Sequence, residues 1–160
     1  MSAPVILSIE AYDYFAAEMA SRCGCAPGTI DRSTFPDGER RLRVMTEVND
    51  RDVVLVGGTV SDSATLELYD LAGAVVENGA ATLTLVVPWF GYSTAERAVE
   101  PGEAVVAKTR ARLLSSIPSA KLGNSVLLLE SDRVEVRVDQ PLDAGVEQRE
   151  LLLASRSNLS

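Results

Sequence analysis

Four short apolar runs, Val5–Ile9, Asp52–Val56, Leu83–Val87 and Asn124–Leu129, constrain this chain more than any other feature of it. Each has the length of a strand, is rich in branched residues, and lacks the polar alternation of a strand with one wet face. Helical patterns separate them. Ala11–Arg22 carries Tyr12, Phe15, Ala16 and Met19 at helical spacing and stops at Gly24, with Pro27 shortly after. Ser61 or Asp62 can cap a helix running to Glu77, with Leu66, Leu68, Leu71, Ala72 and Val75 on or near one face, and Asn78-Gly79 ends it. Glu103–Leu114 reads as a third helix. Buried strands alternating with helices predict an α/β domain, a parallel sheet flanked by helices on both faces.

Two further strand candidates, Thr29–Thr34 and Arg40–Val44, lie either side of Pro36-Asp37-Gly38. That tripeptide is a turn signal because proline fixes φ and glycine frees it. The connection from Pro88 to Pro101 is longer than most. Beyond Leu129 the pattern changes: dense Glu, Asp and Arg, one alternating stretch (Val134, Val136, Val138), and a polar end. This predicts a weak strand, a short helix around Gln148–Ala154 and a frayed terminus. The division expected is therefore a domain over 1–129 and a divergent tail over 130–160.

With a formal net charge of -8, the chain is a poor nucleic-acid binder, since affinity for a phosphate backbone needs clustered cations. The basic residues are local (Arg40, Arg41 and Arg43; Lys108, Arg110 and Arg112), a pattern compatible with small phosphorylated ligands. The absence of histidine removes His-based acid/base chemistry, Ser-His-Asp triads and His-ligated metals. Cys23 and Cys25 are too close in sequence to pair without strain, and two thiols do not complete a zinc site, so both are expected as reduced thiols. The amino terminus, MSAPVILSIE, has no basic n-region and meets Glu10 early, which fits a first strand rather than a signal peptide. No stretch approaches a membrane span. The expected compartment is the cytoplasm.

Two segments carry candidate chemistry. Phe35-Pro36-Asp37-Gly38-Glu39 is either a connection with Phe35 tucked into the core or a clamp for a nucleotide base. In the second reading Phe35 offers a stacking face, and Asp37 and Glu39 accept hydrogen bonds from an exocyclic amine. Pro88-Trp89-Phe90-Gly91-Tyr92 follows a predicted parallel strand, at the end where open α/β sheets bind ligands, and is otherwise an aromatic rim packing the loop. Arg97, in the long loop, is a candidate for a phosphate. Gly57-Gly58 opens neither a P-loop nor a dinucleotide fingerprint.

The order of these pieces is more specific than any one of them. FPDGE, then DVVLVGGT, then LELYDLAGAVVENGAATLTLVVPWFGY, then PGEAVVAKTRARLLSS resembles, over roughly residues 30 to 129, the first half of the ribose-phosphate pyrophosphokinase (PRPP synthetase) family. That family has a Phe-Ser/Pro-Asp-Gly-Glu turn, a strand ending in a Pro-Tyr-Phe-Gly-Tyr-like motif, a flexible catalytic loop and a helix beginning near Ile-Thr-Ala-Lys. The resemblance implies a phosphoribosyltransferase-like N-terminal domain. It also implies MgATP as ligand, and transfer of the β,γ-diphosphoryl group to the C1 hydroxyl of ribose 5-phosphate, giving PRPP and AMP. Phe35, Asp37 and Glu39 match the adenine-recognition turn, which in the family reaches the active site of a neighbouring subunit, so an oligomer is implied. Mg²⁺ is implied as cofactor.

The chain departs from the family in two places. Where the family reads Ala-Arg-Gln-Asp-Arg after Phe-Gly-Tyr, this sequence has Ser93-Thr94-Ala95-Glu96-Arg97, so Thr94 and Ala95 replace the Arg-Gln pair that contacts ATP. Where the family places Asp-Leu-His, with histidine as a metal ligand, the chain has Glu130-Ser131-Asp132. The family's C-terminal domain, with its ribose-phosphate and pyrophosphate contacts, has no counterpart in the tail. The expectation is an ATP-binding half that is incomplete as an enzyme alone, with ribose 5-phosphate bound only in company with a C-terminal domain. A frameshift or truncation near Leu129, testable by translating the DNA in its other frames, would account for the tail. The alternative is a non-catalytic regulatory or assembly subunit that joins a full-length synthetase. An unrelated α/β small-molecule binder is the third reading.

Overall fold

The computed structural model describes residues 3–92 and 97–130, together with the backbone of 133–139 and 151–152. In its six-stranded main sheet, β1 (Val5–Ser8), β4 (Asp52–Val56), β5 (Thr82–Val87) and β6 (Asn124–Glu130) pair in that order, all parallel. The strands β2 (Ile30–Thr34) and β3 (Arg40–Val44) form a separate antiparallel hairpin. Three helices, α1 (Asp13–Arg22), α2 (Asp62–Glu77) and α3 (Val106–Ser115), fill the connections, and a single 3-10 turn, Glu10–Tyr12, precedes α1.

The free edge of β1 is occupied by Pro27, which bridges Ile6 in parallel, and the Gly28 amide donates to the Ile6 carbonyl at 2.7 Å. From β1 the chain therefore steps outward one way through α1, whereas β4 to β5 and β5 to β6 step the other way. Because such crossovers are right-handed, α1 lies on one face and α2 with α3 on the other; α2 and α3 touch. Both faces of β1 are consequently buried, with Ile6 and Leu7 each 1% exposed. The reversal of winding falls between β1 and β4. In open sheets that is where a crevice opens at the carboxyl ends of the strands.

Packing follows the pattern expected of α2. Ser61 caps it, its hydroxyl accepting from the Ala64 amide at 3.1 Å. Leu68, Leu71, Ala72 and Val75 are fully buried, but Leu66 is exposed, because two residues along a helix turn the side chain to the far side. The sheet is less evenly covered: the row Leu55–Leu85 is buried, and the row Val54–Thr84–Ser125 only half so, with the Thr84 and Ser125 hydroxyls 2.9 Å apart.

Two expectations are corrected. The third helix begins at Val106, not Glu103, because the Glu103 carboxylate turns back to accept the amides of Val99 (2.7 Å) and Glu100 (3.1 Å), holding a turn where a helix would start. The short helix expected around Gln148–Ala154 is contradicted at Leu151–Leu152, which form a strand (β8) against β7 (Arg133–Asp139); the rest of that segment lies outside the described residues. The strand expected from Val134, Val136 and Val138 is β7, and it pairs antiparallel to β6. Branched residues at every second position satisfy an antiparallel edge as readily as a helix-linked parallel one.

At the amino-terminal end of the sheet, Lys121 Nζ lies 2.5 Å from Asp50 Oδ1 and 3.0 Å from Asn49 Oδ1. The lysine holds the Asp50 carboxyl below the ordinary carboxylate range, first through the hydrogen bond and then through its charge. A lowered folded-state pKa stabilises above the unfolded value and ceases to do so as pH falls through the lowered one. Lys121→Met should therefore be less stable than the parent at neutral pH, and the gap should close on acidification below about pH 4. Urea midpoints at stepped pH measure this. A gap that persists to pH ~2 would assign the loss to the lysine's stem instead.

Candidate functional site

The loops after β4 and β5 are zipped together at the carboxyl edge of the sheet. Gly57 donates to the Val86 carbonyl at 2.9 Å, Thr59 donates to the Trp89 carbonyl at 2.9 Å, and the Gly91 amide donates back to the Thr59 hydroxyl at 2.7 Å. Thr59 is fully buried, an uncommon fate for a polar side chain unless it is hydrogen-bonded in this way. The glycines are required by space. A Cβ on Gly58 would meet the Tyr12 hydroxyl and the Trp89 carbonyl, and one on Gly91 would meet the Thr59 carbonyl.

Tyr92, in the left-handed region at φ 63°, leads this loop back toward the helices. Its hydroxyl lies 3.4 Å from Asp62 Oδ1, and the Arg110 guanidinium sits 5.9 Å from its ring centroid while contacting the same carboxylate at 2.5 Å. The start of α2, the side of α3 and the β5 loop are thereby joined. The aromatic-rich segment is thus partly a rim packing the loop, although Trp89 remains 61% exposed. Burial pushes the nearby Tyr12 phenol upward, with Tyr14 adding to the shift.

The hairpin presents the other candidate segment at its tip. Phe35 donates to the Glu39 carbonyl at 2.7 Å and Gly38 donates to the Phe35 carbonyl at 2.9 Å, with Gly38 at φ 92°. The Asp37 carboxylate accepts the Glu39 amide at 3.1 Å, which stiffens the turn. Phe35 is 49% exposed and so is not tucked into the core. Asp37 and Glu39 are exposed, and Arg97 is exposed on the long loop. Among the described residues no hydrogen bond or ion pair joins Arg97 to the turn. Thr94 and Ala95 lie outside the described residues.

Below the tip, a charged network ties the hairpin to the domain. The Glu67 carboxylate accepts from the Glu10 amide (3.0 Å), Arg32 Nε (2.9 Å) and Arg40 Nη2 (3.2 Å). Arg32 Nη2 also donates to the Ser8 carbonyl at 2.6 Å and approaches Asp13 Oδ1 at 3.4 Å, and the Ser8 hydroxyl donates to the same Asp13 oxygen at 2.7 Å. One turn along α2, burial pushes the Asp70 carboxyl upward, partly offset by Arg40. Sequence reasoning singled out none of Glu67, Arg32 and Thr59. The available signal was a carboxylate inside the apolar stripe of α2, three residues after Ala64 and four before Leu71.

The N-terminal domain model of ribose phosphate pyrophosphokinase matches residues 4–117, well over half the chain. The chain belongs to the ribose-phosphate pyrophosphokinase family. Curated relatives bearing that name include one from Halobacterium salinarum, 31% identical over 112 residues that make up 70% of this chain and 40% of the relative. Another, from Gloeobacter violaceus, is 31% identical over 130 residues, 79% of this chain and 39% of the relative. The crystal structure of phosphoribosylpyrophosphate synthetase from Mycobacterium smegmatis superposes with a TM-score of 0.64 at 19% identity, covering 72% of this chain and 40% of that one. That likeness shows the fold. The chain spans about two fifths of the length of the relatives it matches.

The family match begins at residue 4, earlier than the resemblance legible from residue 30, because β1 and α1 carry no distinctive motif. It includes Phe35, Asp37, Glu39 and Arg97 and stops before β6. Among the described residues no three His, Cys, Asp or Glu side chains converge to hold a metal ion. No described helix is long and apolar enough to cross a membrane.

Proposed function

We propose that this chain supplies the ATP-recognition part of a ribose-phosphate diphosphokinase, the enzyme that converts ATP and ribose 5-phosphate to PRPP and AMP. The observation that carries the reading is the half-exposed ring of Phe35 on a closed, carboxylate-flanked turn within the family match. An aromatic face held open to solvent suits an adenine ring, whose stacking is insensitive to the rest of the ligand. The exposed carboxylates of Asp37 and Glu39 accept hydrogen bonds from the exocyclic amine, and the exposed Arg97 guanidinium suits the phosphates. Magnesium arrives on the nucleotide phosphates, a common arrangement for this ion, which keeps most of its waters and needs few protein ligands.

Ribose 5-phosphate and the diphosphoryl group in transfer to it call for clustered cationic and backbone donors. Their binding is assigned to a C-terminal domain of the kind that the longer relatives have room for, and residues 130–160 to a divergent tail beyond the family match whose strands β7 and β8 continue the sheet. A turn that projects from its own domain suits delivery to a neighbouring copy, as the family resemblance implies. Function then depends on an oligomer, of this chain or with a full-length synthetase, in the cytoplasm.

The test is direct. The purified 160-residue chain, given Mg²⁺ with ATP, is expected to bind nucleotide in titration calorimetry. With ribose 5-phosphate added, no AMP should be released. Turnover would refute the claim of incompleteness, and failure to bind ATP would refute the nucleotide assignment.

A further inference from the structure

Glu67 is the one charged side chain in the buried set among the described residues, at 5% exposure on the inward side of α2. A buried carboxylate is heavily penalised unless it is fully paired. Glu67 is paired on three sides, by Arg32 of β2, Arg40 of β3 and the Glu10 amide just after β1. One carboxylate therefore clamps both strands of the hairpin and the end of the first strand of the sheet. An apolar side chain of similar volume would hold α2 in place as well. What the carboxylate adds is direction, because it can be satisfied only where both arginines reach it.

Beside Glu67, the polar ties of the hairpin run from Arg32 to the Ser8 carbonyl and Asp13 and from Arg40 to Glu10. The hairpin's sheet has two strands, an arrangement marginal on its own in water. Ile30, Leu42 and Val44 of its inner face pack on the core only partly buried. The same face carries Arg32 and Arg40, in register with Leu42 and Thr34. Ion pairing thus adds to the apolar contact between the hairpin and the domain, and α2 packs against β3.

We propose that Glu67 is the positioning residue that fixes the hairpin, and with it the turn Phe35–Glu39, on the body of the domain. The consequence for nucleotide binding rests on the reading of that turn given above.

Amide hydrogen exchange on the full chain separates the two claims. Glu67→Gln keeps the volume and removes the charge. Amides of β2 and β3 are expected to exchange about ten-fold faster, with those of β4 and β5 within about two-fold of the parent. Should Glu67→Gln fail to fold, Arg40→Met decides, because Arg40 is 39% exposed and its ion pairs among the described residues are with Glu67 and Glu10. The same hairpin-specific acceleration is expected there. Unchanged hairpin protection in the folded variants, or a loss spread evenly over β4 and β5, would overturn the role of Glu67. ATP should bind the folded variant about ten-fold more weakly. Parent affinity in a variant with a loosened hairpin would show that the anchor does not serve the site. A parent chain that binds no ATP would strike down the nucleotide reading and leave the exchange result to decide Glu67.

Discussion

Alanine at Gly91 is expected to destabilise the domain by about 2–4 kcal/mol, whereas alanine at Gly73 should stabilise it by about 0.5–1 kcal/mol. The opposite signs follow from what a Cβ would meet. At Gly73, in the interior of α2, nothing lies within 4 Å, so the substitution only removes conformational freedom from the unfolded chain. At Gly91 the added atom falls on the carbonyl oxygen of Thr59. That oxygen belongs to backbone held by a Thr59–Trp89 bond on one side and a Gly91–Thr59 bond on the other, so it cannot swing away as a flexible side chain would.

Relief at Gly91 requires the two strand-end loops to separate, which breaks both hydrogen bonds and leaves the Thr59 hydroxyl buried with no donor. Urea unfolding followed by far-UV dichroism measures the global cost. Fluorescence of Trp89, the single tryptophan, reports the loop itself. A parental midpoint with parental fluorescence in Gly91→Ala would show that the loops do not depend on this close approach.

The parallel sheet was legible because its strands are continuous apolar runs, a pattern that burial on both faces imposes and that little else produces. The turn was legible too, since Pro36 and Gly38 carry a local mechanism that needs no tertiary information. The zipper was not. Gly57-Gly58-Thr59 reads as a loop, and only the parallel pairing of β4 with β5 brings Thr59 against Trp89 and Gly91. Glu67 is harder still, because its three donors are 57, 35 and 27 residues away in the chain. Periodicity can place a carboxylate on an inward face, but it cannot say which distant arginine will make that tolerable. The same reasoning explains Leu66, where a count of nearby apolar residues outweighed the turn of the helix.

Phe35→Ala is expected to weaken ATP binding by about 10- to 100-fold, the equivalent of roughly 1–3 kcal/mol of base stacking, while the urea midpoint stays within about 0.5 kcal/mol of the parent. The second half of that expectation distinguishes a ligand face from a core residue. A phenylalanine packed in the interior would cost about 3–5 kcal/mol of stability on truncation, but this ring is 49% exposed and its turn is closed by backbone bonds that alanine retains. Phe35→Trp should bind as the parent does, because it preserves the stacking face. Inorganic tripolyphosphate, which has no base, should bind parent and Phe35→Ala alike. GTP should bind the parent less well than ATP: guanine presents a carbonyl where adenine presents its amine, opposing an acceptor to the acceptor carboxylates of Asp37 and Glu39. Glu39→Gln can donate as well as accept, and so should narrow that preference. Equal loss of tripolyphosphate and ATP in Phe35→Ala would mean that the ring positions the phosphate side instead, and the adenine assignment of the turn would fall.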